Sequence, residues 1–338
     1  MNQLNNAFTL FLSLLVEAIP FLLLGVLFSG LLQFFVDERR LLALLPKNPL
    51  LGSLVGSCIG FLFPVCECGN IPVARRLLMQ GAPVPVAIGF LLAAPTINPI
   101  VFWATWTAFR GQPEIVLYRI GFSLLIATII GWVFGTQKDV RPLLQPALAS
   151  VLSYRSQASA DYSSGTSPLL QSGTYFLGQS ARPLITDPSE LQAAMVATAT
   201  KPTGYRLRLL LDNTIQEMRE LGGVLILGSA IAAVIQVFVP RELILGLGQS
   251  PVTSILAMML LAGVVSICST VDSFFALSFA STFTSGSLVA FLVFGPMIDL
   301  KGVGLMLSIF KPRAIFYLFL LAAQLTFLLT LALNLYIS

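Results

Sequence analysis

Apolar runs long enough to cross a bilayer recur along the chain, near 8–36, 50–65, 83–109, 115–135, 220–239, 251–268, 288–310 and 313–337. Judged against the roughly 20 residues that a helical crossing needs, they predict an all-α integral membrane protein with about eight transmembrane helices. The second and sixth runs are short, and the third and seventh are interrupted. Between the fourth and fifth runs, residues 136–213 are rich in Ser, Thr, Gln, Ala and Pro, carry scattered charges and have no sustained apolar stripe. That composition reads as a flexible polar linker. The expected organisation is therefore a first transmembrane repeat over 1–135, a linker over 136–213 and a second repeat over 214–338. Inside the linker, Ser189 and Gln192 have capping-box spacing ahead of LQAAMVATAT, which predicts one short helix.

The two sets of four runs look like copies of each other. VEAIPFLLLGVLFSGLLQFFV aligns with RELGGVLILGSAIAAVIQVFV, placing Glu17 on Glu220, Gly25 on Gly228, Gln33 on Gln236 and Val36 on Val239. Further on, Pro49 falls on Pro251, Cys66 on Cys268, Asn70 on Asp272, Phe90 on Phe291, Pro95 on Pro296 and Asn98 on Asp299. Apart from a local shift near Gly81, the offset drifts by only two residues across these blocks, and matched Glu, Gln, Cys and Pro are not what chance similarity between apolar helices produces. The number of crossings in each copy decides whether the copies run parallel or inverted, and the pattern leaves that open.

The stretch FLFPVCECGNIPVARRLLMQGAPVPVAIGFLLAAPTINP, from Phe61 to Pro99, sets two apolar arms around Cys66, Glu67, Cys68, Asn70, Arg75 and Arg76, and interrupts the second arm at Pro95-Thr96-Ile97-Asn98-Pro99. Proline removes a backbone donor and blocks the preceding turn, so the pair around Asn98 predicts a broken helix. In a bilayer such backbone is tolerated only inside protein or beside a watery cavity, and broken helices at a repeat interface are where secondary transporters build substrate sites.

The composition agrees with a membrane setting. Of 338 residues 56% are hydrophobic and only 10% charged, with a mean hydropathy of +0.89. The formal net charge of +4 is small and spread over loops, and nothing in it calls for nucleic acid. The absence of histidine excludes imidazole metal sites and His-based acid–base chemistry. Met1–Asn6 carries no basic residue and the run behind it exceeds a signal-peptide core, so it reads as a retained first span. Basic residues of the short loops oppose those of the linker in an eight-span arrangement; the reading adopted puts the linker in the cytoplasm.

Four cysteines are present, Cys58, Cys66, Cys68 and Cys268. Cys66 and Cys68, with Cys268 at the equivalent place in the second copy, offer thiols from both halves to one site. Thiolates select copper(I), zinc or trivalent arsenic over magnesium or calcium, whereas as plain side chains they are small hydrophobes that pack. At Asn70/Asp272 and Asn98/Asp299 the first copy carries an amide where the second carries an acid. An intramembrane carboxylate is costly and points to function, including proton uptake, against the alternative of a solvated cap at the headgroups. Lys301, two residues after Asp299, is placed to neutralise it. Arg75 and Arg76 read as headgroup contacts or an anion site. Gly25, Gly30, Gly52, Gly56 and Gly60 read as close helix packing, and Trp103, Trp106 and Trp132 as lipid or interface anchors.

The segment PVCECGNIPVARRLLMQGAPVPVAIGFLLAAPTINP resembles the signature of the predicted-permease family that includes the ArsP-type organoarsenical efflux permeases. The match extends through Cys268-Ser269-Thr270-Val271-Asp272 and Phe294-Gly295-Pro296-Met297-Ile298-Asp299. The resemblance implies a duplicated eight-span permease with a variable central linker and, in the arsenical branch, efflux of trivalent organic arsenicals by way of cysteine thiols. It marks Cys66, Cys68, Gly69, Pro72, Pro95, Asn98 and Pro99, with Cys268, Asp272, Pro296 and Asp299 opposite. The resemblance assigns Glu67, between the two cysteines, no part in that branch. The substrate-binding candidates are thus Cys66, Cys68, Asn70, Pro95, Asn98, Cys268, Asp272, Pro296 and Asp299. The chain reads as an inner (plasma) membrane, multi-pass secondary permease without a cofactor, whose partners are the lipid bilayer, a small-molecule or metalloid substrate and coupled protons. No G-x-x-x-x-G-K-[ST] pattern occurs, so an ion or solute gradient has to drive it. The alternative from another class is a membrane-embedded thiol–disulfide oxidoreductase using Cys66 and Cys68.

Overall fold

The computed structural model describes residues 2–35, 45–46, 48–63, 66–137, 141–146, 203–238 and 250–336. The short helix expected after Ser189, and the residues Val36 and Val239, lie outside them. Among the described residues the architecture is helical throughout. The first half comprises α1 (Asn2–Phe35), α2 (Pro49–Ile59, extended by a tight turn over Gly60–Leu62), α3 (Glu67–Met79), α4 (Val84–Ile97), α5 (Pro99–Ala108) and α6 (Pro113–Gly135). The second half comprises α7 (Thr203–Phe238), α8 (Pro251–Val265), α9 (Asp272–Leu277), α10 (Ser285–Met297), α11 (Leu300–Met306) and α12 (Pro312–Tyr336). α7 begins inside the segment read as linker. The linker's start is also docked: Leu144 bridges Phe310, with Gln145 N donating to Ile309 O at 2.9 Å and Lys311 N to Leu143 O at 2.8 Å.

Among the described residues six helical segments are long and apolar enough to cross a membrane: Leu4–Gly30, Val84–Ala108, Pro113–Gly135, Thr214–Ile235, Ser285–Met306 and Pro312–Tyr336. The second and sixth runs form shorter apolar helices, Pro49–Leu62 and Pro251–Val265. The 15 residues of α8 rise only about 22 Å, less than the roughly 30 Å hydrocarbon core. The eight crossings expected from hydropathy are therefore six candidate spans and two short apolar helices.

The protein core lies on α4 and α10, whose apolar residues run all round the helix, the pattern of a buried element. Burial reaches 83% over the Val84–Ala108 window and 78% over Ser285–Met306, against 28–44% in the other four spans. α4 packs on α2 and α6, α10 on α8 and α12, and α4 and α10 on each other. The outer spans turn large apolar side chains outward, among them Phe8, Val16, Leu227, Phe316 and Leu320, with Trp103, Trp106 and Trp132. In lipid, that surface is at home.

Small residues set the distances between these helices. A Cβ at Gly25 of α1 would strike the backbone of Gly69 in α3, and one at Gly56 of α2 the backbone of Val86 in α4. Gly131 and Gly135 of α6 similarly sit against Pro85, at the start of α4. Backbones in direct contact gain dispersion where lipid supplies no hydrophobic drive. Gly25→Leu is accordingly expected to destabilise the protein by about 1–3 kcal/mol through overpacking, read as a lowered thermal midpoint in detergent micelles. Gly222→Ala, where an added Cβ meets nothing within 4 Å, is expected to leave that midpoint unchanged or slightly raised.

Candidate functional site

Both long arms break where the prolines and the capping residues require. α4 keeps Pro95 inside its last turn and stops at Ile97; Asn98 turns to an extended backbone (φ −67°, ψ 154°), and its side-chain oxygen accepts from Val101 N at 2.8 Å to start α5. α10 keeps Pro296 and stops at Met297; Ile298 and Asp299 are extended, and Asp299 Oδ1 accepts from Gly302 N at 2.7 Å to start α11. The unwound stretch is thus one residue in the first arm and two in the second. Ser266, in a left-handed conformation (φ 45°), donates no such cap but accepts from Leu300 N at 3.1 Å, tying the loop after α8 to the break. Amide groups freed in an apolar interior must find such partners.

Cys66 heads α3, and Cys268 stands in the turn just ahead of α9. The carbonyl of Cys66 accepts from Gly69 N and Asn70 N, both at 3.1 Å; the carbonyl of Cys268 accepts from Val271 N at 2.9 Å and Asp272 N at 3.0 Å. Cys66 is the N-cap of α3 and makes no cap bond with its side chain; its thiol instead faces those of Cys268 and Cys68. The sulfurs of Cys66 and Cys268 and a carboxylate oxygen of Glu67 all lie within 4.8 Å of one another, and all three residues are buried. Thr270 Oγ1 donates to Cys268 Sγ at 3.5 Å. Cys68, fully buried in the first turn of α3, is not one of these three residues, but its thiol meets that of Cys66. No disulfide joins the four cysteines, and Cys58 is exposed.

Charges close around the thiols. Lys301, on α11, is 1% exposed; its Nζ stands 3.7 Å from Glu67 Oε1 and 4.0 Å from Asp299 Oδ2. Glu67 Oε2, Asp299 Oδ2 and both polar atoms of the Asn70 carboxamide are buried without a hydrogen-bond partner. Asn70 follows Glu67 by three residues and Cys66 by four, so the three share a face of the helix. Gly69, in the same turn, is the residue against which Gly25 brings α1. Glu67 gave no usable signal in the sequence beyond its place between two cysteines, and the structure makes it the acid nearest both thiols.

A second crossing is built on a residue inside the fourth apolar run. Arg119 sits within α6 and is 1% exposed. Its guanidinium grips Asp272 through Nη2–Oδ2 at 2.7 Å and Nη1–Oδ1 at 3.0 Å, and also reaches Thr105 Oγ1, Ser273 Oγ and the Ser269 carbonyl. An arginine within a 23-residue apolar run was the signal available for it. Asp272, expected as a substrate ligand, is held in this fork. Arg75 and Arg76 also find protein partners rather than headgroups: Glu220 and Glu217 of α7, each at 3.2 Å. The structure therefore unites Cys66 and Cys268, adds Glu67, and brings Asp299 in through Lys301. Asn98, Pro95 and Pro296 shape the breaks.

A family model described as "Predicted permease" matches residues 3–335. The UPF0718 protein YcgR of Bacillus subtilis (strain 168) is 39% identical over 316 residues, 94% of this chain and 92% of its own. A Streptococcus mutans serotype c protein named "Putative two-component membrane permease complex subunit" is 33% identical over 307 residues, 90% of this chain and 87% of its own. No solved structure matches the chain.

The Arg119–Asp272 fork is structural in kind. Leaving either charge alone in the interior is expected to cost about 3–5 kcal/mol, so Arg119→Leu and Asp272→Leu each lower the thermal midpoint strongly. The double substitution, which leaves no orphan charge, loses less than either single one in the same melts.

Proposed function

The chain belongs to the predicted-permease family, and from that premise we propose that it is a secondary-type permease whose cargo is a small thiophilic solute, with trivalent organic arsenicals the class that the family resemblance suggests. One observation carries this reading: Cys66 and Cys268, far apart in sequence, meet with Glu67 at the ends of short helices in the interior of a membrane protein. A structural thiol needs no second thiol opposite it, and packing alone gives no reason for Glu67, Lys301 and Asp299 to be buried together beside them.

The reading includes a duplicated chain. The succession of a long helix, a short apolar helix, a short polar-headed helix, a capped break and a final long helix occurs from α1 to α6 and again from α7 to α12, with Cys66 and Cys268, Asn98 and Asp299 at like positions. Two such halves facing each other place the thiols at their interface, in the manner of transporter sites formed between repeats. The setting is the plasma membrane with the segment after α6 on the cytoplasmic side, and the direction is export. Protons are the proposed coupling ion, carried by Glu67 and Asp299 in the company of Lys301. The Streptococcus relative's name adds that a second subunit belongs to the working assembly.

Uptake into everted vesicles, with methylated trivalent arsenic, soft metal ions and organic anions compared, tests the whole reading. Cys66→Ser and Cys268→Ser are expected to reduce flux of the transported solute at least about tenfold at matched membrane abundance, because serine keeps the volume but loses the soft donor. Wild-type flux in the double substitution would sink the thiol site. Asp299→Asn keeps the α11 cap, as Asn98 does for α5, while removing the acid. Its vesicles are expected to fold normally and to lose proton-driven accumulation; unchanged accumulation under a pH gradient would remove Asp299 from the coupling path.

A further inference from the structure

The groups around Cys66 and Cys268 say more about the cargo than that it is thiophilic. A methylated trivalent arsenical bonded to two thiolates is a neutral adduct: each thiol gives up a proton, each arsenic-bound hydroxide leaves with it as water, and no charge is left to compensate. Such a ligand gains nothing from a carboxylate and is not helped by an ammonium. Yet this pocket holds Glu67 within 4.8 Å of both sulfurs, Asp299 across Lys301, and the Asn70 carboxamide with neither polar atom satisfied. Two carboxyl groups face one ammonium there, so the charge of one acid has no counter-ion of its own. In a buried site that charge favours a cation.

Resting on the permease reading above, we propose that Cys66 Sγ, Cys268 Sγ and the Glu67 carboxylate form a binding site for a divalent, borderline-soft metal ion of the zinc and cadmium class, with Lys301 as the internal cation that the metal displaces from Glu67. Two sulfurs and a carboxylate oxygen make a donor set that zinc accepts and that magnesium and calcium, which prefer all-oxygen shells, do not. Donors on one tetrahedral zinc stand about 3.5–3.8 Å apart, so a spread of up to 4.8 Å closes by side-chain rotation alone. The Asn70 oxygen, on the same helical face as Cys66 and Glu67, supplies the fourth donor or holds a metal-bound water; among the described residues nothing else satisfies it. On binding, the two thiols lose their protons to water as the two metal–sulfur bonds form, and the ion loses its hydration shell. Lys301 then turns to Asp299, whose Oδ2 has no hydrogen-bond partner of its own. No electron is transferred.

Cadmium titrated into the purified full-length chain in nanodiscs tests this through the sulfur-to-cadmium charge-transfer absorbance. The expected result is one cadmium per chain, displaced by zinc and indifferent to excess magnesium. Cys66→Ser and Cys268→Ser should each cut the band, whereas Cys58→Ser, outside the cluster, leaves it intact. Glu67→Gln should weaken binding about tenfold while keeping the band at saturation. Lys301→Gln should tighten binding by a similar factor because the competing charge is gone; Lys301→Arg, which retains that charge, covers the case in which the glutamine variant does not fold, and should bind no tighter than wild type. Absence of the band in wild type, or a band untouched by Cys66→Ser and Cys268→Ser, overturns the metal site. If that happens while methylarsenite flux still depends on both thiols, the permease reading stands without the metal; if cadmium binds as expected and no solute is moved in vesicles, the site stands and the transport reading falls.

Discussion

Everything at the centre of this protein depends on pairing charges that hydrocarbon would not tolerate alone. Among the described residues two fully buried pairs cross from one half of the chain to the other: Glu67 of α3 with Lys301 of α11, and Asp272 of α9 with Arg119 of α6. Each ties a short helix headed by a cysteine to an element of the opposite half. Because an unpaired buried ion costs several kcal/mol, the halves cannot slide past each other without breaking both links. The helix breaks obey the same logic on a smaller scale, since Asn98 and Asp299 each answer an amide that the interruption would orphan.

Much of this was legible because proline, capping residues and apolar length act locally. The breaks at Asn98 and Asp299 fall where Pro95, Pro99 and Pro296 allow, and, apart from the early starts of α1 and α7, the apolar runs coincide with the helices to within a few residues. The interruption itself was narrower than the pattern of prolines suggested, because a proline in the last turn of a helix costs only bonds that the terminus would lose anyway. Crossing number was less legible. Hydropathy does not register that Pro49–Leu62 and Pro251–Val265 are too short to span unaided.

Pairing was where local signals ran out. Lys301 and Asp299 are neighbours in sequence, so their contact was readable, but Glu67 lies on the other half and its partner depends on the tertiary fold. Arg119 was hidden by its place near the start of an apolar run, where a charge reads as a flank. Arg75 and Arg76 look like interfacial charges for the same reason, and only the packing of α3 against α7 reveals Glu220 and Glu217 opposite them.

The two crossings differ in cover as well as in chemistry. α1 packs along α3 through Gly25 and Gly69, α7 packs along α11, and α1 and α7 pack on each other, so the thiol crossing is roofed by two long helices. At the other crossing α5 and α9 keep Thr105 and Ser273 buried around Arg119 but turn Trp103, Trp106, Phe274 and Leu277 outward. A guanidinium with two bonds to one carboxylate needs no roof, because its charge is met on the spot. Thiols, an unsatisfied amide and half-answered carboxylates do need one, since water admitted freely would hydrate them and weaken their hold on any cargo. Covered and unsatisfied polar groups belong to a binding site, and uncovered but satisfied ones to a strut, so the same chain spends one crossing on each.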